Sequence, residues 1–264
     1  SVAMAFRAYF YQPFNIPTGS MQETLWGYHT RAGTEKGVWG AVPLSILKWA
    51  WSGERVVDHK APADGTARFR QRNDGFADVA VGLATSTFKI PTDALPAIAG
   101  RYFRKGETVW KGTVETGDFI FVNRWLWNFR KPRVNEVMIF STTGIDGLMQ
   151  GTHYIKRVTA LPNETIEITK GGDVVIDGKV MPPLKPMTGA RGEATPRPNR
   201  GRSENGFAMN GKVKLGDNEY FTCGDNSDNS LDSRYWGAVP EKKVTGNAAC
   251  VFWPIINPRW GTIK

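Results

Sequence analysis

Ser20 closes the segment Phe14-Asn15-Ile16-Pro17-Thr18-Gly19-Ser20, short, apolar and interrupted by proline, with a turn signal at Thr18-Gly19. A serine in a turn ordinarily bonds to nearby backbone and does nothing more. To attack a carbonyl it needs a base. None of the three histidines, His29, His59 and His153, has a credible place in a Ser-His-Asp arrangement. Lys156 is the other candidate, in the strand-like run Tyr154-Ile155-Lys156-Arg157-Val158. Its separation from His153 is odd, so on a strand the two side chains take opposite faces. A lysine accepts a proton near neutrality only where apolar burial disfavours its ammonium form, and Tyr154, Ile155 and Val158 suit that need. By itself, though, a strand lysine ordinarily points to solvent. Metal chemistry lacks ligands: Cys223 and Cys250 are the only cysteines and form no CxxC pair. No metal and no cofactor are expected. The two thiols either pair across neighbouring strands or stay free.

The elements that would carry these groups read as β. Ten Trp, 29 Gly and 16 Pro in 264 residues lean toward strands, turns and loops. An extended edge strand is expected over 14–20, then a helical turn over 21–25. Segment 26–113 reads as an insertion, irregular except for a short helix over 44–51 and a strand over 85–90, with Arg104 to Gly112 a tight turn of a small barrel-like domain. Strands return at 118–122, 136–140 and 154–160, and a hairpin spans 165–169 and 174–176. Residues 182–206 are rich in Pro, Gly and Arg and read as a long loop. The expected division is therefore 1–25, 26–113, 114–181, 182–206 and 207–264. The net charge of +9 favours polyanions. The basic residues are dispersed apart from Arg191, Arg197, Arg200 and Arg202, which argues against a nucleic-acid stripe.

Four stretches in order resemble type I signal peptidase, the membrane-bound enzyme that removes signal peptides from exported proteins. They are Ile16-Pro17-Thr18-Gly19-Ser20-Met21, Gly117-Asp118-Phe119-Ile120-Phe121-Val122, Tyr154-Ile155-Lys156-Arg157-Val158 with Leu161-Pro162, and the Asp/Asn-rich run from Gly224 to Gly237. The departures are Glu23 before Thr24-Leu25, Ser227 where a basic residue is common, and the insertion after Leu25. The resemblance implies a mainly β fold with an antiparallel catalytic core, into which this chain's own insertion is read as a small β-rich domain. It implies Ser20 as nucleophile and Lys156 as general base, with Ser230 bonding the amine and aiming it. Asp232 and Arg234 would stiffen the loop beside the dyad as an ion pair, while Asp225 and Asn226 read as turn formers. The Ser20 amide and the Thr18 hydroxyl would hold the oxyanion.

A signal peptide would then add as a strand between the edge at Phe14 to Pro17 and the strand at Tyr154 to Lys156. Ile16, Pro17, Met21, Leu25, Tyr154 and Ile155 would border shallow pockets for the first and third positions before the cut, with plain core packing the alternative for these apolar residues. Trp125, Trp127, Phe252, Trp253 and Trp260 read equally as a membrane-interface surface or as β core. The opening Val2 to Tyr11 reads like the outer end of a membrane helix, so the chain is expected to lack its anchor and to act outside a bacterial plasma membrane. Two rivals stay open. One is a Ser/Lys peptidase of a conjugation or self-cleaving system, although no helix-turn-helix segment is evident. The other is a non-catalytic basic β scaffold that binds a membrane or a partner protein.

Overall fold

The structure, a computed structural model, describes residues 10–31, 42–72, 76–169, 173–182 and 211–263. The opening segment before Phe10, the arginine cluster and the hairpin tip at Lys170 to Gly172 lie outside the described residues, as does nearly all of the proline-rich loop. In chain order the strands begin with β1 (Tyr11–Asn15), β2 (His29–Arg31), β3 (Glu54–Lys60), β4 (Gly65–Gln71), β5 (Phe76–Val81) and β6 (Phe88–Pro91). Then come β7 (Tyr102–Phe103), β8 (Thr108–Glu115), β9 (Phe119–Asn123), β10 (Val137–Ser141), β11 (His153–Ala160) and β12 (Thr165–Ile168). The last are β13 (Val174–Ile176), β14 (Lys179–Val180), β15 (Lys212–Lys214), β16 (Glu219–Cys223), β17 (Val239–Pro240), β18 (Val244–Trp253) and β19 (Gly261–Thr262). The principal helix, α1, is Val42–Ser52.

The main sheet runs β1-β9-β18-β10-β11-β16-β17, with β19 on β18, and every pairing in it is antiparallel. Strand alternation explains its core. Ile120 and Val122 of β9 and Ala248 and Val251 of β18 are buried with Ile16, Met21 and Leu25. Bulges at Ile139/Phe140, Val158/Ala160, Ala248/Cys250 and Val251/Trp253 bend the strands. The resulting curl lets the chain leaving β1 at one edge reach β11, four strands along. A smaller sheet, β14-β13-β12-β15, packs Ile166, Ile168, Val174 and Ile176 against Phe221 and Cys223.

The edge strand is shorter and earlier than expected, Tyr11–Asn15 rather than 14–20. Ile16 still donates its amide to the Asp118 carbonyl (2.9 Å), but from Thr18 onward the chain turns. Gly117 is glycine because of that contact: an added Cβ would sit 2.0 Å from the Ile16 carbonyl oxygen. The expected turn at 21–25 is present, closed by Leu25 N to Met21 O at 2.8 Å.

Segment 26–113 corrects the expectation of irregularity, for it holds β2 to β7 and most of β8. They form a three-stranded sheet, β2-β8-β3, and a four-stranded one, β6-β5-β4-β7, over a core that includes Val79, Val81, Ile90 and Phe103. Their strand pattern is hard to read because the outward positions of β3 and β4 carry Arg, Asp, Lys and Gln beside glycine turns. The turn at Arg104 to Glu107 is tight, with a 2.9 Å backbone bond and φ of 83° at Gly106.

Candidate active site

Strand β11 places Lys156 inward and His153 outward, as odd spacing requires: Lys156 is 3% exposed, His153 open. Lys156 Nζ stands 2.7 Å from Ser20 Oγ, across 136 residues of chain. Burial pushes the amine from its ordinary 10.5 down to about 8; the carboxylates of Asp232 and Asp225 oppose that fall and Arg234 aids it. An amine held there is partly neutral near pH 8. It can then accept the hydroxyl proton of a serine within hydrogen-bond reach.

Two fully buried ion pairs set the surroundings. Arg234 Nε and Nη2 each reach a carboxylate oxygen of Asp232 at 2.8 Å, as the expected pairing has it. Asp232 also accepts from the Gly224 amide (2.9 Å), and Arg234 donates to the Ser227 carbonyl (3.0 Å). Burial alone would raise the Asp232 pKa, but Arg234, together with bonds from the Gly224 amide and Ser230, holds the carboxyl below its usual range. The second pair is one that sequence reasoning missed. Arg157 Nε and Nη2 meet Asp225 at 2.7 Å each, and Thr24 bridges them, donating to Asp225 at 2.5 Å and accepting from Arg157 at 3.0 Å. Asp225 is therefore no mere turn former. It ties the turn after Ser20 to the strand of Lys156. Asn226 does likewise, its amide donating to the Ser20 carbonyl (3.1 Å) and its side chain to the Gly19 carbonyl (3.0 Å). The signal was present as Thr24, Arg157 and the Asp-Asn pair, but only their convergence gives it meaning.

Ser230 differs from its expected role. Its buried Oγ makes no hydrogen bond to Lys156; it lies instead beside Asp232, whose carboxyl it helps to hold low. It lies against Gly224, where a Cβ would be 2.0 Å from that oxygen and 2.5 Å from the Ser20 carbonyl. Glycine is needed there for close approach. Both cysteines are free thiols, and burial raises Cys223 to about 12.

A cavity of about 390 Å³ opens over the dyad, lined by Pro17, Thr18, Gly19 and Ser20 on one side and by Thr152 to Lys156 on the other. Pro17, Tyr154 and Ile155 are among its lining residues. Ile16, Met21 and Leu25 are not; they are buried in the core at 3% exposure or less, and Phe14 packs against that core. Met149, Asn229 and Leu231 complete the lining and were not anticipated. The Ser20 amide donates to no protein acceptor among the described residues.

On the outer sheet face the aromatics form a ladder: Tyr11 to Phe121 (6.3 Å), Phe121 to Phe252 (4.2 Å), Phe252 to Phe119 (6.2 Å), Phe119 to Trp253 (5.1 Å) and Trp253 to Trp49 (5.6 Å). Ile46, Leu47, Trp49 and Trp51 of α1 are exposed beside its end, as are Ile255, Ile256 and Trp260. Trp125 is exposed too, whereas Trp127 is half-buried against the core and bonds to Glu136. Among the described residues no helix is long and apolar enough to cross a membrane.

Compared with known proteins, residues 98–253 match the family model described as signal peptidase, peptidase S26. The chain is 30% identical to a probable signal peptidase I-2 of Synechocystis sp. over 159 residues, covering 57% of this chain and 61% of that protein. It is 32% identical to a signal peptidase I of Leptolyngbya laminosa over 148 residues, 54% of this chain and 64% of the relative. It thus spans less than two thirds of either relative's length. Among solved structures, a signal peptidase I from Enterococcus faecalis V583 aligns with 45% of this chain and 97% of its own, at 24% identity and a TM-score of 0.33.

Proposed function

Because this chain belongs to the peptidase S26 signal peptidase family, we propose that it is a serine endopeptidase that removes signal peptides from exported preproteins through a Ser20/Lys156 dyad. The observation that carries this reading is a buried amine, depressed to about 8, that stands 2.7 Å from the Ser20 hydroxyl. Neutral Lys156 takes the Ser20 proton as Oγ bonds to the scissile carbonyl carbon. The Ser20 amide and the Thr18 hydroxyl receive the oxyanion, each donor being worth about 3 kcal/mol in such sites. The ammonium so formed returns its proton to the leaving nitrogen as the C–N bond breaks. Lys156 then deprotonates the water that attacks the ester carbonyl and passes that proton to Ser20 Oγ as the acyl C–O bond breaks. No step calls on a metal or cofactor.

Ser230, buried beside Asp232, would turn its hydroxyl to Lys156 once the amine gains its proton. Asp232 and Arg234 hold the loop that carries it. The substrate lies extended against Tyr154 and Ile155, where the cavity between Pro17 and β11 admits small side chains at the first and third positions before the cut. The aromatic ladder, continued by Trp49 and Trp51, faces the headgroup region of a bilayer, where indoles partition favourably. This face supports a dyad working at a membrane surface, and the extracytoplasmic side, where preproteins emerge, is the side we propose for it.

The test is incubation with a signal-peptide substrate. The wild-type chain should cut it at one bond, and Ser20→Ala and Lys156→Ala should each abolish cleavage. A scaffold would leave the substrate intact. Full activity in either variant would sink the dyad. For the membrane face, Trp49→Ala/Trp51→Ala should lower cosedimentation with anionic vesicles, and undiminished binding would count against it.

A further inference from the structure

Pro17 lines more than the dyad cavity. A second cavity, of about 530 Å³, shares Pro17, Met149 and Thr152 with it, and its opposite wall comes from segment 26–113 as Arg70, Gln71, Arg72 and Asp78. A third, of about 430 Å³, takes Pro17 and Asn15 together with Phe76 and Lys89. Strand register relates these walls. Arg70 of β4 is paired with Asp78 of β5, which is paired with Lys89 of β6. Directly paired residues project to one face of a sheet, so Arg70, Asp78 and Lys89 form a single cross-strand row. Arg72 meets Asp78 at 3.4 Å. Among the described residues one carboxylate thus stands in a row with two cations, Arg70 and Lys89, both exposed.

We propose that this row is a substrate subsite for an acidic side chain, contributed by segment 26–113 to the groove that begins at Ser20. It rests on the peptidase reading above. A substrate held extended beside β11 alternates its side chains with a period of two. If the first and third residues before the cut enter the dyad cavity, the next to face the same wall is about the fifth. Past Pro17 and Thr152 that wall is no longer apolar core but the Arg70-Asp78-Lys89 row, whose excess positive charge attracts a carboxylate. Selectivity therefore has two parts: size near the cut, and charge further upstream.

The experiment is a set of fluorogenic peptides with one cleavage site, carrying Glu, Ala or Lys at roughly the fourth to seventh position before the cut. The wild-type chain should favour Glu over Lys in kcat/KM at one or two of these positions, by about two- to fivefold for an exposed pairing. The preference should shrink with added salt. Arg70→Glu/Lys89→Glu should reverse it, and Arg70→Gln, a milder exposed change, should flatten it. Lys179→Glu, on β14 of the separate small sheet, should leave the ratio as it was. An equal Glu/Lys ratio in the wild type at every position, or the same ratio in wild type and reversed variant, overturns the subsite while leaving the dyad standing. Failure to cut any peptide overturns the dyad instead. The subsite is then judged by fluorescence anisotropy of the same labelled peptides on the Ser20→Ala chain, where equal affinity for Glu and Lys peptides refutes it.

Discussion

Replacing Lys156 by methionine should abolish cleavage and make the protein more stable at neutral pH. Burial depresses the amine from 10.5 to about 8. At about 1.4 kcal/mol per unit, the folded state therefore carries a penalty of about 3 kcal/mol whenever the lysine is protonated. Methionine fills the space with no charge to desolvate, but it forfeits the 2.7 Å bond to Ser20, worth about 1 kcal/mol. The net gain at pH 7 is about 2 kcal/mol, a rise in Tm of about 4 to 8 °C for a chain of this size. The sign follows from linkage. Between about 8 and 10.5 the unfolded lysine binds more protons than the folded one, so wild-type stability climbs with pH through that window. The methionine chain lacks that climb. Its advantage should vanish as pH passes 10 and become a deficit of about 1 kcal/mol above 10.5, where only the lost bond remains. Urea titrations of both chains from pH 7 to 11 measure the gap directly. A variant less stable at pH 7, or a gap that stays constant across the window, would falsify the claim that Lys156 is held in a site that disfavours its charge.

The same amine governs rate: kcat/KM should rise with pH along a limb centred near 8 and plateau above it, and a limb near 10 would contradict the burial argument. Asp225→Asn leaves the Arg157 guanidinium buried against a neutral amide, and should cost about 3 to 5 kcal/mol in chemical denaturation. Gly224→Ala forces a methyl into the Ser230 hydroxyl and the Ser20 carbonyl; it should cost about 1 to 3 kcal/mol and depress kcat, since relief of the clash moves the nucleophile. Ser230→Ala removes a buried hydroxyl that lies beside Asp232 and makes no bond to Lys156. It should change Tm little yet lower kcat about tenfold with KM unchanged, if that hydroxyl serves the protonated amine.

Periodicity and turn chemistry make most of the core legible from the chain alone. The strands at 119–123, 137–141 and 153–160 and the hairpin strands of the small sheet fall where alternation and turn residues put them, within a residue or two. The helix over 44–51 extends to Val42–Ser52. Strands β3 and β4 escaped because their outward positions carry charge and their boundaries are glycine turns. Local pattern measures amphipathicity, and these strands bury too little of their surface to show it. Ile16, Met21 and Leu25 were ambiguous for the converse reason, since an apolar residue beside a nucleophile reads alike whether it floors a pocket or fills the core.

Residue types are a property of the chain: a serine after a turn, a lysine among apolar neighbours, and an Asp/Asn-rich run are all readable in order. What they do together depends on distance and dielectric, and neither is encoded in spacing along the chain. Only the curled sheet brings Ser20 and Lys156 to 2.7 Å across 136 residues. Only burial on that strand lowers the amine to about 8. Only the convergence of Thr24, Arg157 and Asp225 turns three unremarkable residues into a clamp around a fully buried ion pair. Local sequence sets which groups are available, while long-range packing decides which of them lose water and meet, and it is loss of water that makes a lysine a base.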